Sequence, residues 1–206
     1  MSEPRNFIKI TSPVGTLQYP QSLQKPNTKF DPEGVWQADL ILTPEEGLAF
    51  KDKIQEIFDE QISPAVIEYN KLKKKVKVKD LPIEEDEETG NLIFKLKMKT
   101  KTGSGKKQRP IIVDELGKPL DPSISLASGT KAKVGIQLYG WYSPALGMGV
   151  RLEPKAVSVT EVVEYQADSG FGFEIDSKAY QNNKDDDVDM ESSDGTEAYE
   201  DDEEDF

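Results

Sequence analysis

Four lysines, Lys95, Lys97, Lys99 and Lys101, alternate with Phe94, Leu96, Met98 and Thr100. Successive side chains of a strand point to opposite faces, so this spacing sets four ammonium groups on one side and a largely apolar row on the other. Residues 89–113 hold seven bases, Arg109 among them, and no acid. Lysines discourage edge-to-edge pairing of strands, but four in succession without a carboxylate exceed that need and suit a surface that tracks phosphates. A second run, "KAKVGIQLYGWY", places Ala132, Val134, Ile136 and Leu138 toward a core, and Lys131, Lys133, Gln137, Tyr139 and Trp141 away from it. Aromatic rings beside lysines suit single-stranded nucleic acid, whose unpaired bases offer faces for stacking while the backbone offers phosphates. Tyr139 and Trp141 could equally close one end of a barrel, since large aromatics are mostly buried. Arg151 points opposite to Val150 and Leu152 and adds another cation.

Other chemistries lack their residues. The chain has no histidine and no cysteine, which removes disulfides, Ser-His and Cys-His catalysis and the usual zinc ligands. Carboxylates for a magnesium-dependent nuclease are present, but "EEDEE" and the acidic end are runs in segments expected to be disordered, whereas a two-metal site needs them fixed on rigid elements. "TGSGKK" lacks the glycine five positions before Gly105 that a phosphate loop requires. The protein is therefore expected not to be an enzyme and to use no cofactor or metal. Its N-terminus has no apolar stretch of signal-peptide length, and the longest charge-free run, residues 134–150, contains four glycines and a proline. A cytoplasmic protein without membrane contact is expected.

The charge is unevenly spread. Of 39 acids in 206 residues, 13 fall in residues 185–206, which have no Lys or Arg; the remaining 26 balance all 26 bases. The body is neutral and the end carries the whole net charge of −13. It closes on "EDDEEDF", with Asp201, Asp202, Glu203, Glu204 and Asp205 leading to a terminal Phe206. A ring on a flexible acidic segment contributes nothing to a core, but it can anchor in a partner's pocket while the carboxylates steer. The same carboxylates resemble a phosphate backbone and should compete for the protein's own basic face.

Short strands are expected to position these groups. "FIKIT" is strand-like, the Pro-, Gln- and Asn-rich stretch after it reads as loop, and residues 35–42 alternate Trp36, Ala38, Leu40 and Leu42 inward. Thr43-Pro44-Glu45-Glu46 predicts a capped helix start, and Ile54, Ile57, Phe58, Ile62, Val66 and Tyr69 continue an apolar stripe past a break at Ser63-Pro64. Six lysines and then six acids within residues 71–88 predict a solvated loop or a nucleic-acid contact. Apolar density falls after Tyr165. Residues 1–170 are expected to form one domain, 171–184 a linker and 185–206 a disordered acidic tail. Several short strands, one inserted helix and a basic aromatic face suggest a mainly β fold, the five-stranded oligonucleotide-binding (OB) barrel.

"ITSPVGTLQYPQSLQKP", "PEGVWQADLIL", "LIFKLKMK", "KAKVGIQLYGWY" and the ending "DDEEDF" together resemble the single-stranded DNA-binding proteins that short-tailed lytic bacteriophages encode for replication, in order along nearly the whole chain. The resemblance implies an OB fold with one inserted helix, a basic aromatic cleft, a homodimer, strand annealing, and roles in DNA replication, recombination and repair in the cytoplasm of an infected bacterium. It implies recruitment of the phage DNA polymerase and primase-helicase by the tail. By position, Tyr139 and Trp141 would stack on bases, and Lys97, Lys99, Arg109 and Arg151 would meet phosphates. The chain departs from the pattern at Glu33, where the family carries a base. The competing reading is a chaperone or scaffold for basic proteins that works through its acidic tail; it leaves the Lys and Trp face without a role.

Overall fold

The computed structural model describes residues 7–29, 31–72 and 76–163. All of these fall in one compact unit, residues 1–166. The order is β1 (Phe7–Thr11), β2 (Gly15–Gln18), α1 (Gln21–Gln24), β3 (Val35–Leu42), α2 (Pro44–Ile57), a π-helical turn (Phe58–Ile62), α3 (Ser63–Tyr69), β4 (Ile83–Glu85), β5 (Leu92–Lys99), β6 (Ile111–Val113), β7 (Lys131–Ser143) and β8 (Gly147–Glu161).

Alternation dictates the long strands. Ala38, Leu40 and Leu42 of β3, Leu92, Phe94, Leu96 and Met98 of β5, and Ala132, Val134, Ile136 and Leu138 of β7 are all buried. Their partners in alternation are exposed or half-buried, except Val35, which is buried under the loop after α1. The pairings β2–β3, β3–β5, β5–β8, β8–β7 and β7–β2 return to their start, closing five strands into the small OB barrel expected. β1 adds to β7, β4 to β5 and β6 to β8.

Closure depends on one glycine. β7 pairs with β1 along Gly135 to Tyr139 and with β2 at Lys131 and Ala132, so the chain crosses from β7 toward β3 at Gly15. A Cβ on Gly15 would stand 2.7 Å from the Ile41 carbonyl oxygen and equally near Leu40 and Leu42. Gly15→Ala should therefore cost about 1–3 kcal/mol through overpacking, measured as a lower urea midpoint with an unchanged slope.

The helical insertion runs from β3 to the segment before β4 and covers one end of the barrel. Gly47, Phe50 and Ile54 of α2 are buried, and Phe50 meets Phe94 at 5.3 Å between ring centroids. Pro64 has no N–H to donate. The helix widens to a π-turn just before it, where Ser63 N–H bonds Phe58 O, and this keeps Phe58, Ile62 and Val66 all inward. Three local expectations change. The Thr43 hydroxyl bonds the Glu46 carboxylate at 3.1 Å rather than capping a backbone N–H. Tyr69, at the end of the stripe, is 64% exposed. The stretch expected as loop after "FIKIT" contains β2 and α1, because Leu17 and Leu23 drop fully into the core. No helix among the described residues is long and apolar enough to cross a membrane.

Candidate nucleic-acid interface

The outward side chains of four adjacent strands form one surface. Tyr139 of β7 faces Arg151 of β8, while Gln37 and Val35 of β3 face Lys97 and Lys99 of β5. β8 joins β5 at Leu152 and Leu96, one residue from Arg151 and from Lys97. Lys97, Lys99 and Arg151 therefore meet in a depression of about 410 Å³, with Asn27, Asp31, Val35 and Gln37 completing its walls. The Asn27 and Val35 backbones bond each other, so the loop after α1 folds over Val35 and forms one bank.

Lys97 and Lys99 are exposed, and neither is in an ion pair with a described residue. Arg151 is held instead. Its Nη2 and Nε donate to Glu153 Oε1 at 2.7 and 3.0 Å, and its guanidinium carbon lies 5.1 Å from the centre of the Tyr139 ring. Glu153 is buried at 4% exposure, and its other oxygen takes the Lys155 ammonium at 2.9 Å. Lys155 Nζ also donates to Gln108 Oε1 at 2.9 Å. One buried carboxylate thus fixes two cations and, through Arg151, holds a guanidinium over the Tyr139 ring.

Trp141 lies two residues beyond Tyr139, opposite Gly149. A Cβ on Gly149 would approach the indole Cζ2 to 2.9 Å, so the ring rests on a bare backbone. Both rings are half-buried and neither belongs to the core cluster. Trp36 is the more buried indole, 9% exposed, and its N–H donates to Gln108 O at 2.8 Å.

The remaining basic residues separate by tertiary partners. Lys95 is clamped by Asp39 at 2.9 Å and Glu84 at 3.2 Å. Partial burial lowers its ammonium pKa, but hydrogen bonds to the two carboxylates outweigh that and leave it raised. Lys101 bonds Glu33 at 2.7 Å, so the residue that departs from the resembled pattern neutralises a neighbouring lysine. Lys131 pairs with Glu161 at 2.7 Å. Lys133 is exposed without an ion pair to a described residue, six positions along β7 from Tyr139 and so about 20 Å away. Arg109 lines a different depression, with Trp36, Lys101, Lys107 and Gln108. Asp201, Asp202, Glu203, Glu204, Asp205 and Phe206 lie outside the described residues.

Two contributors escaped the alternation pattern. Lys155 follows Pro154, where strand signals are weak. Tyr19 sits at φ 60° and is 57% exposed, beside Gln37, Asp39, Lys95 and Lys97. Its only signal is the turn-forming Tyr-Pro pair.

The fold and this face define a class: OB barrels carrying an outward basic aromatic cleft. Among solved structures, the single-stranded DNA-binding protein gp2.5 of bacteriophage T7 superposes with a TM-score of 0.62 at 23% identity, over 85% of this chain and 98% of that one. The single-stranded DNA-binding protein of bacteriophage Enc34 in complex with single-stranded DNA superposes at 0.54 with 17% identity, over 77% and 88%. The same protein without DNA gives 0.52 at 17%, over 80% and 86%. The chain shares their fold, in agreement with the resemblance carried by its motifs. No family model matches the sequence. No curated protein matches it either.

Proposed function

We propose that the protein binds single-stranded DNA of a bacteriophage along the outer face of β7, β8, β5 and β3. The observation that carries this is the joining of Lys97, Lys99 and Arg151 in one depression with Tyr139 against Arg151. Phosphates meet cations there and bases meet rings, which is how single strands are held without a fixed sequence. The proposal extends to protection of the strand during replication, recombination and repair, annealing of complementary strands, and action as a homodimer in the host cytoplasm. The Enc34 neighbour, solved in complex with single-stranded DNA, supports the reading through the shared fold. Among the described residues no group of three or more carboxylates could hold a metal ion.

The test is tryptophan fluorescence during titration with oligo(dT). Two tryptophans contribute, so wild type is compared with Trp141→Phe, which keeps a stacking ring. Binding should persist in the variant while quenching falls to what Trp36 supplies. A wild type that shows neither quenching nor a mobility shift with oligo(dT) would overturn the proposal and favour the scaffold reading.

The phosphate contacts have their own signature. Lys97→Ala with Lys99→Ala should weaken binding to any single-stranded sequence about equally and reduce the slope of log affinity against log salt by about 0.7 per lost contact. Lys95→Ala should change that slope far less, because Asp39 and Glu84 already occupy its ammonium. Equal slopes for all three proteins would remove Lys97 and Lys99 from the DNA path.

The proposal assigns residues 171–184 to a linker and 185–206 to a tail that recruits the phage DNA polymerase and primase-helicase. Tethering gives the tail an effective concentration of about millimolar at the cleft. Removing residues 185–206 should therefore tighten oligo(dT) binding, most of all at low salt. Deleting Phe206 alone should leave that affinity nearly unchanged while reducing polymerase capture in a pull-down. Undiminished capture would show that the terminal ring is not the anchor.

A further inference from the structure

The lysine-rich run after α3 has no role in the cleft described above, yet part of it is docked beside that cleft. Lys79 N–H donates to Met148 O at 2.8 Å, Met148 N–H donates to Lys77 O at 2.9 Å, and Val78 pairs in parallel with Met148. Two glycines permit this approach. Gly147 has φ 96°, and a Cβ there would collide with the Lys77 carbonyl oxygen. A Cβ on Gly149 would stand 3.3 Å from Lys79 Cβ as well as 2.9 Å from the Trp141 indole. Lys79 and Trp141 thus converge over the same bare backbone. Val76 packs against the core and ties the segment down. Lys77 and Lys79 are exposed, and neither is in an ion pair with a described residue.

We propose that Lys77 and Lys79 extend the single-stranded DNA path past Trp141, holding the phosphates that flank the base stacked on that ring. The inference rests on the proposed DNA-binding function and adds a contact from outside the five barrel strands. Residues two apart on an extended backbone share a side, so both ammonium groups can reach one strand of DNA. Flexible four-carbon stems suit phosphate contact without base selection. The backbone bonds to Met148 fix where the stems begin, which distinguishes this segment from a free basic loop.

The experiment measures oligo(dT) affinity across a salt series for the full-length protein, for Lys77→Ala with Lys79→Ala, and for Lys51→Ala with Lys53→Ala. The last pair removes the same charge from exposed positions on α2. The strap variant should lose about 0.7 in salt slope per contact, up to about 1.4, with an unchanged melting temperature because both side chains are exposed. The α2 variant should keep the wild-type slope. A strap variant whose slope falls no further than the α2 control would overturn this inference while leaving the cleft intact. Absence of oligo(dT) binding by wild type would instead overturn the proposed function itself.

Discussion

Alanine at Tyr139 or Trp141 should weaken oligo(dT) binding by about 1–3 kcal/mol each, a factor of roughly 5–150. Sequence preference should change little, because every base has a face to stack. The two sites reach this loss differently. Trp141→Ala strips the ring that rests on Gly149. Tyr139→Ala removes the ring beneath Arg151, yet Glu153 still holds the guanidinium through two hydrogen bonds. The charge stays in place, so the salt slope should match wild type while affinity falls. That split separates stacking from phosphate contact. Neither ring is in the core cluster, so melting temperatures should shift modestly. Unaltered affinity with a large drop in melting temperature would assign both rings to the fold instead.

What the sequence disclosed follows the range of each signal. The lysine stripe of β5 and the alternation of β3 and β7 are visible because period two persists over eight or more residues. β2 is only four residues long, and it interrupts its Pro-, Gln- and Asn-rich surroundings with one buried leucine. That is too short to show a period. The division of the lysines is a tertiary matter. Lys95 is neutralised by Asp39, 56 positions earlier, and Lys101 by Glu33, 68 positions earlier. No local pattern distinguishes them from Lys97 and Lys99. The docking of Lys77 and Lys79 depends on Gly147 and Gly149, about 70 residues downstream. In sequence those glycines are two of four in a charge-free run, and only the fold shows what they make room for.

Replacing Arg151 and Lys155 together by alanine should be the most destabilising change on the cleft surface. Glu153 is a buried carboxylate whose ion-pair partners among the described residues are these two cations. Removing one leaves the other. Arg151→Ala keeps Lys155 on Oε2, so the single variant should stay close to wild type in stability, and its loss of DNA affinity can be read as a lost phosphate contact. Removing both strands a charge in the protein interior, a change that costs about 3–5 kcal/mol where burial is complete. Arg151 and Lys155 are 33% and 28% exposed in their side chains, so water already screens the pairs and the lower end, about 3 kcal/mol, is expected. In a domain of this size that corresponds to a melting temperature lower by about 6–12 °C. Adding Glu153→Gln to the double variant removes the stranded charge while keeping the side chain's shape. It should recover a large part of the loss without restoring DNA affinity, since the cations remain absent. A double variant that melts with wild type, or one that Glu153→Gln fails to rescue, would mean that Glu153 reaches water on its own. Its hold on Arg151 would then not be what aligns the guanidinium with Tyr139.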